Sequence, residues 1–182
     1  ALTEAAQAGI EAGSQIAPLQ VLTRIGENAR QAVKEMRLFL YEMQPIDLKD
    51  GLVSSLHHRL AAVEGRADIK AGLIADENIQ LAKDTEIALY YIAQEALNNV
   101  AKHARAGSAY VNLASHPQGA VLSILDDGQG FDVNQVTPEH LGLAIMRERC
   151  ESIAGELTIS STPGDGTEIT IRWTNPEMAG AV

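Results

Sequence analysis

Residues 94–104 read QEALNNVAKHA, and this stretch carries more polar chemistry than a core helix needs. At about 100° of rotation per residue, Glu95, Asn99 and Lys102 fall in one narrow stripe, with His103 at its edge. The opposite side of the same helix is apolar. The pattern therefore predicts a helix that packs one face on a core and presents a carboxylate, an amide and an ammonium on the other. The apolar face consists of Ala93, Leu97, Val100 and Ala104.

The composition limits the class of protein to which the chain can belong. Its 182 residues are 46% hydrophobic and 21% charged, which is typical of a globular protein with one core and an appendage, or with two small domains. An aromatic content of 4% argues against base-stacking surfaces for single-stranded nucleic acid. A net charge of -10 argues against non-specific binding to nucleic acid or anionic membrane. Because salt screens charges beyond about 8 Å, a single anionic ligand still fits a local cluster of cations.

The single cysteine, Cys150, cannot form an internal disulfide, so we expect a reducing, cytoplasmic location and a packed rather than reactive thiol. No apolar run approaches the length of a membrane span, and no signal peptide is visible. The opening stretch, ALTEAAQAGIEAGSQ, has no initiator Met and resembles the middle of a helix. We therefore expect a fragment whose sensor or membrane part lies outside it, with no membrane contact of its own.

Apolar residues with 3,4 spacing run through residues 17–44, which is typical of a helix in a bundle. Pro45 ends this helix. The stripe needs a cover, either from the same subunit or from a second copy in a homodimer. We expect the homodimer, because residues 2–14 are weakened as a helix by two glycines. The stripe consists of Leu22, Ile25, Ala29, Ala32, Met36, Phe39 and Met43, and is widened by Val33 and Leu40.

Beyond Pro45 the hydrophobic pattern alternates between helical and strand periods. From residue 69 the predicted order is β-α-β-β-α-β-β, which indicates an α+β fold with a layered sheet and helices on one face. We expect an N-cap at Asp84 and a frayed tail beyond Asn175. The predicted helices are 48–64, 84–104 and 141–154, and the predicted strands are 68–75, 108–115, 120–127, 156–161 and 168–174.

Three later stretches place glycines beside polar residues. DDGQGF, residues 126–131, comes where a strand ends, and its glycines allow a sharp turn and close approach of backbone to a ligand. HLGLAIMRER, residues 140–149, puts Gly142 at a helix start, where phosphate binds readily. In PGDGTEITI, residues 163–171, a glycine turn leads Thr167 into the last strand. Each stretch alone is more often structural than functional, and Arg147 and Arg149 fit a phosphate contact or a surface salt bridge.

The order and spacing of these four stretches over residues 69–174 resemble the Bergerat ATP-binding fold, a mixed α/β sandwich. This is the ATPase domain of gyrase, heat-shock chaperones, histidine kinases and mismatch-repair ATPases. Upstream, ARQAVKEMRLFLYEMQP and GLVSSL resemble the second dimerisation helix and linker of sensor histidine kinases. EALNNVAKHA and MRER point to the subfamily of nitrate sensors and of the thermosensor that regulates lipid desaturation. The resemblance implies a histidine-kinase catalytic core.

The resemblance assigns the polar helix to the phosphates. It implies that Asn99 ligates Mg²⁺, with Asn98 beside it in the cofactor site. Glu95 matches the general-base position of gyrase-type members, and in a kinase it would orient water, the metal shell or the incoming histidine. Lys102 and His103 would face phosphate oxygens. Magnesium keeps several waters, so one amide oxygen with phosphate oxygens suffices without an acidic cage.

The resemblance assigns the glycine loops to the base and the lid. Asp126 would accept a hydrogen bond from the adenine amino group, with Thr167 supporting it through its hydroxyl or through water. Residues 131–140 would form a short lid over the nucleotide. The remaining residues that it places at the cofactor are Gly128, Gly130, Phe131, Leu141, Gly142, Leu143, Met146 and Gly166.

Two departures from the family concern the lid and the phosphoacceptor. His140 stands where many members have the first glycine of a GxGL hinge, which implies a stiffer lid. Residues 1–56 contain no histidine, and the pair His57 and His58 follows the second helix rather than lying on the first. We therefore expect a chain that binds ATP but cannot phosphorylate itself.

The resulting hypothesis has four segments: a partial dimerisation hairpin at 1–46, a linker helix at 47–68, an ATP-binding domain at 69–175 and a tail at 176–182. Its expected partners are ATP, Mg²⁺, a second copy of the chain and the receiver domain of a response regulator. Three alternatives use the same fold: a serine kinase of the anti-sigma-factor type, a non-catalytic ATP-sensing module, and an energy-coupled ATPase like gyrase. Phosphotransfer to a histidine-bearing helix, or steady ATP turnover without one, would separate them.

Overall fold

The computed structural model describes residues 20–29, 32, 36, 48–67, 69–76, 79–135 and 141–175. The chain divides into two compact units, Ala1–Pro45 and Ile46–Val182. In the first unit, residues 20–29 are helical, as are residues 32 and 36. Leu22 is 59% exposed and Met36 is 65% exposed, so this part of the predicted apolar stripe is uncovered in the single chain. The rest of that stripe, the helix predicted at 2–14 and the tail beyond 175 lie outside the described residues.

The second unit contains the predicted alternation of helices and strands. From residue 69 onward its order is β-α-β-β-α-β-β, which confirms the sequence prediction. The helices are α1 (Gly51–Ala67), α2 (Lys83–Asn99) and α3 (Leu141–Ser152), and the strands are β1 (Lys70–Ala75), β2 (Ser108–His116), β3 (Gly119–Asp126), β4 (Glu156–Ser161) and β5 (Thr167–Thr174).

The five strands form one mixed sheet in the order β1-β2-β3-β5-β4. β1 and β2 pair in parallel, and the other three pairs are antiparallel. A parallel pair needs a long crossover, which α2 supplies between β1 and β2. The predicted α+β fold with a mixed sheet is therefore confirmed.

The core lies between the three helices and one face of the sheet. Alternate strand residues are buried because successive side chains in a strand point to opposite faces. Leu56 of α1, Leu97 of α2 and Met146 of α3 are fully buried against these strands. Cys150 lies in the same core, where burial raises the pKa of its thiol to about 11. The thiol is packed, as predicted.

The start of α2 differs from its prediction. Asp84 was the predicted N-cap, but the cap residue is Ala82, and it makes no side-chain cap hydrogen bond. The Glu86 N–H donates to the Ala82 carbonyl at 3.0 Å, so Asp84 lies inside the first turn. There its negative charge still suits the positive end of the helix dipole.

Candidate functional site

The polar stripe of α2 faces the first turn of α3. Glu95 and Asn99 are both partly buried. A Cβ atom at Gly142 would overlap Glu95 Oε1 and would lie 3.4 Å from Asn99 Nδ2. The absence of a side chain at Gly142 leaves room for the Glu95 carboxylate, which would otherwise have to shift, so the beginning of α3 lies close to both side chains. The structure thus brings together the carboxylate, the amide and the helix start that the sequence placed at the phosphates.

The helix that carries the stripe changes its winding after Asn99. Val100–Ala104 form a π-helical turn, which ends at Arg105 with a left-handed φ of 53°. A π-helical turn contains more residues than an α-helical turn, so each residue rotates less about the helix axis. Lys102 therefore lies at a different angle around the helix from the one that a continuous α-helix would give it. Lys102 and His103 are both exposed there. The helix predicted to continue unchanged to Ala104 is therefore α-helical only to Asn99.

Gln129 connects this π turn to two glycine loops. Its side-chain amide donates to the His103 carbonyl at 2.8 Å, and its backbone N–H donates to the Ala104 carbonyl at 2.7 Å. Its own carbonyl accepts from the Gly164 N–H at 2.8 Å. The sequence analysis missed Gln129, because the D-x-G-x-G pattern leaves its position open. The fold uses it to hold three segments of the site together.

Asp126 ends β3 and is partly buried on the helix-covered face of the sheet. Its Oδ1 accepts the N–H of Gly128 at 2.8 Å. Burial disfavours the charged carboxylate and raises its pKa. The hydrogen bond from Gly128 opposes this rise, and the negative charge of Asp127 adds to it. The carboxylate thus retains acceptor capacity that a donor on a ligand would stabilise.

Three glycines allow the loops to close around Asp126. A Cβ atom at Gly128 would lie 2.5 Å from the Ala104 carbonyl oxygen and 2.6 Å from Asp126 Oδ1. Gly130 has a φ of +58°, and a Cβ there would overlap the Thr162 carbonyl. Gly166 has a φ of +78°, and its Cβ would overlap the Asp126 carbonyl. Side chains at these positions would push the loops apart.

Asp127, the second aspartate of DDGQGF, has a different task. Its Oδ1 accepts the N–H groups of Gly107 at 2.7 Å and Ser108 at 2.8 Å, and its Oδ2 accepts the Ser108 hydroxyl at 2.8 Å. Hydrogen bonds from Ser108 and Gly107 lower the pKa of this exposed carboxyl. Asp127 therefore fastens the start of β2 to the end of β3, a role that the sequence analysis did not assign.

Thr167, the first residue of β5, pairs with Asp126, the last residue of β3. Its hydroxyl, however, is 3.0 Å from the hydroxyl of Ser161, the last residue of β4. Ser161 also accepts the Phe131 N–H at 2.9 Å. The sequence analysis did not single out Ser161, whose contacts join the base of the predicted lid to the glycine turn.

The other predicted site residues lie around this centre. Asn98 turns its Oδ1 to the guanidinium of Arg59 on α1. Leu143 and Met146 are buried in the core beneath the site. Arg149 packs on the ring of Tyr91, with 4.8 Å between its Cζ atom and the ring centroid, while Arg147 is exposed.

The predicted lid is described only in part. Within 131–135, residues Val133–Gln135 form a short 3₁₀ turn, in which the Asn134 N–H donates to Asp132 Oδ1 at 2.9 Å. Residues 136–140, which include His140, and the side chain of Leu141 lie outside the described part of the chain. The stiffer hinge expected from His140 therefore stays a prediction.

The described residues form a five-stranded sheet covered by helices, with a polar helix that meets glycine-rich loops, and comparison with known families identifies the class of this domain. Residues 84–177 match the family described as histidine kinase-, DNA gyrase B-, and HSP90-like ATPase. This match covers more than half of the chain, so the chain belongs to that family. The family's description as an ATPase confirms the predicted use of ATP, whereas the predicted Mg²⁺ stays a prediction.

The curated proteins that the chain resembles in sequence include sensor histidine kinases. Over 159 residues the chain is 29% identical to the signal transduction histidine-protein kinase/phosphatase DegS of Brevibacillus brevis, covering 84% of this chain and 40% of that protein. It is 32% identical over 147 residues to the sensor histidine kinase LiaS of Bacillus subtilis strain 168, and this match covers 79% of this chain and 40% of LiaS. These relatives confirm the prediction of a histidine-kinase catalytic core, whereas the subfamily stays a prediction. The chain spans about 40% of the length of both relatives.

A solved structure has the same fold. The histidine kinase domain of the blue-light activated histidine kinase EL346 from Erythrobacter litoralis superposes with a TM-score of 0.60 at 23% identity, over 70% of this chain and 62% of that domain. Among the helices that the structure describes, none has the length and apolarity to cross a membrane. Within the same residues, no three or more His, Cys, Asp or Glu side chains gather as a metal site.

Proposed function

We propose that the chain binds Mg·ATP and presents the γ-phosphate to a histidine, from which the phosphoryl group passes to the receiver domain of a response regulator. The observation that carries the proposal is the approach of Gly142 to Glu95 and Asn99. It puts the N-terminus of a twelve-residue helix beside two oxygen-bearing side chains. Helix N-termini bind phosphate through free N–H groups and the helix dipole. We call these three residues, with Lys102 and His103, the phosphate end of the site.

The residues at the phosphate end fit a magnesium–triphosphate ligand. The amide oxygen of Asn99 and the carboxylate of Glu95 are hard donors, and Mg²⁺ needs only one or two of these beside phosphate oxygens and water. When bound, the metal neutralises charge on the transferring phosphoryl group. Lys102 and His103 are exposed on the π turn and add donors for phosphate oxygens. The side-chain oxygen of Asn98 accepts a hydrogen bond from Arg59, so in our proposal Asn98 lies beside Asn99 but does not ligate Mg²⁺.

The adenine end of the site consists of Asp126, Gly128, Gly130, Gly166 and Thr167. In our proposal the Asp126 carboxylate accepts from the exocyclic amino group of adenine, and Gly128 and Gly130 supply a backbone wall. An acceptor buried without its donor costs about 1–3 kcal/mol, so this one carboxylate discriminates adenine from guanine. Phe131 and the following residues would form the lid, while Leu141, Leu143 and Met146 complete the hinge and the wall.

The parent protein, in this proposal, works as a cytoplasmic homodimer. Residues 1–46 would form a partial dimerisation hairpin, 47–68 a linker helix, 69–175 the ATP-binding domain and 176–182 a tail. The exposure of Leu22 and Met36 supports the dimer, because each large apolar side chain gains about 1.5–3 kcal/mol on burial. Because residues 1–56 contain no histidine, we propose that the phosphoryl acceptor lies on a separate segment rather than on this hairpin.

Two measurements test the function in order. Calorimetric titration with Mg·ATP should release heat and raise the melting temperature of the chain. A dimerisation-helix fragment that bears a histidine should then become labelled when radioactive γ-phosphate ATP is added, and the chain alone should not. Binding without transfer would identify a non-catalytic ATP-sensing module, and steady hydrolysis without any histidine would favour the gyrase-like alternative. No binding by a folded chain would overturn the proposal.

A further inference from the structure

A row of three polar side chains crosses the sheet at the end that carries the glycine loops. Asp126 is the last residue of β3, Thr167 the first of β5 and Ser161 the last of β4. Thr167 pairs with Asp126 on one side and with Ser161 on the other. Because residues paired across antiparallel strands point to the same face, the three side chains lie side by side. All three are partly buried on the face that the helices cover.

The hydrogen bonds of Ser161 fix the direction of its hydroxyl. It donates its one hydrogen to the Gly166 carbonyl at 2.8 Å. A serine oxygen also has two acceptor positions. One accepts the Phe131 N–H at 2.9 Å, and the other faces the Thr167 hydroxyl at 3.0 Å. Since the Ser161 hydrogen is already used, the hydrogen of this last contact must come from Thr167.

This direction determines what Thr167 can offer to a ligand. Its single hydroxyl hydrogen points to Ser161, so the remaining positions on its oxygen are acceptors. The neighbouring Asp126 carboxylate is also an acceptor when ionised. The pair therefore presents acceptors side by side, which suits an amino group with two N–H donors. A carbonyl oxygen at the same position would meet acceptors only.

We propose that Ser161 is a specificity-determining positioning residue: by holding the Thr167 hydroxyl as an acceptor, it makes the adenine end prefer a 6-amino purine over a 6-oxo purine. The inference rests on the proposed adenine-nucleotide function and assigns no contact between Ser161 and the ligand. Without Ser161, the Thr167 hydroxyl is free to rotate and to donate to a 6-oxo group. The expected consequence is a change in base preference as well as in affinity.

The experiment compares Mg·ATP with Mg·GTP by calorimetric titration of the full chain and of Ser161 variants. Ser161→Ala should reduce the ratio of ATP to GTP affinity about tenfold, the value of one net hydrogen bond. Ser161→Thr keeps the hydroxyl and should restore most of the ratio, and Ser161→Cys, with a weaker donor, should be intermediate. The matched control is Ser160→Ala, because Ser160 is exposed one position earlier on the same strand.

A double variant separates the loss of the oriented Thr167 hydroxyl from a general loss of nucleotide affinity. In a Thr167→Val background no hydroxyl is left to orient, so adding Ser161→Ala should leave the base ratio unchanged even if both affinities fall. A wild-type chain that binds no adenine nucleotide would defeat the proposed function itself. The inference about Ser161 alone would be overturned if the wild-type chain prefers ATP and Ser161→Ala keeps the same ratio of ATP to GTP affinity. If Ser161→Ala does not melt cooperatively, the same comparison is made with Ser161→Cys.

Discussion

The two ends of the site are built differently. At the adenine end, hydrogen bonds join the two glycine loops to each other and to the π turn, and Gln129 alone takes part in three of them. At the phosphate end, the basic residues Lys102 and His103 are exposed on a π turn. The adenine end recognises its ligand through a fixed arrangement of hydrogen-bonding groups. Lys102 and His103 act through charge rather than through fixed contacts, so we expect these two positions to tolerate substitution better.

The largest effect expected from this difference is at Gly166. Its φ of +78° and the overlap of a Cβ with the Asp126 carbonyl mean that Gly166→Ala adds a steric clash to backbone strain. We expect a loss of about 3–5 kcal/mol in the free energy of unfolding, measured by urea denaturation, and loss of ATP binding.

Gly164 is the matched control in the same turn. It also has a positive φ, of +96°, but no atom lies within 4 Å of a Cβ at this position. Gly164→Ala should therefore cost only the strain, about 1–2 kcal/mol, and should keep ATP binding. Equal losses in the two variants would show that the loops do not pack against Asp126 as described.

The second effect concerns the two adjacent aspartates. Asp126→Asn should weaken Mg·ATP binding about a hundredfold, since the acceptor for the adenine amino group becomes neutral and half of its polar end becomes a donor. In the free protein the same change removes a partly buried charge, so the melting temperature should rise. Asp127→Asn should do the reverse, lowering the melting temperature through the lost bonds to Gly107 and Ser108 while ATP affinity changes less. Scanning calorimetry of both variants measures the melting temperatures, and calorimetric titration with Mg·ATP measures the affinities. The two variants should change these quantities in opposite ways.

Local patterns predicted the elements, because their apolar faces repeat within one helix or strand. β4 has the predicted bounds, 156–161, and the positions of Gly128, Gly130 and Gly142 followed from motif spacing. Contacts between distant segments left no such signal. Ser161 binds Phe131 across thirty residues, and Gln129 holds a π turn that no local propensity indicates. The predicted cap at Asp84 was wrong because the helix begins after Ala82, whose side chain has no capping group and therefore gives no sequence signal.

The third effect is a pH dependence of stability and of ATP affinity that involves Asp126 and Asp127. The pKa of Asp126 is raised in the folded chain, so this group contributes stability below its unfolded pKa and loses that contribution as the pH rises through its folded pKa. The pKa of Asp127 is lowered, so its contribution is present above its unfolded pKa and is lost as the pH falls through its folded pKa. ATP affinity should fall on acidification through the raised pKa of Asp126, because the proton removes the charged acceptor. The same titration with Asp126→Asn should be flatter, and an equal slope in both proteins would assign the pH dependence to other groups.

The smallest effect is expected at Lys102, an exposed residue of the phosphate end. Lys102→Met should reduce Mg·ATP affinity only a few-fold, because an exposed charge acts through a high dielectric and is screened beyond about 8 Å at physiological salt. The deficit should shrink further when the salt is raised to about 0.5 M, and the binding of adenosine, which has no phosphates, should not change. Lys70→Met, which removes the same charge from an exposed position on β1, is the control and should leave ATP affinity and its salt dependence unaltered. If Lys102→Met instead weakened adenosine as much as ATP, the π turn would be shaping the adenine end through its bonds to Gln129, and the two ends would no longer act independently.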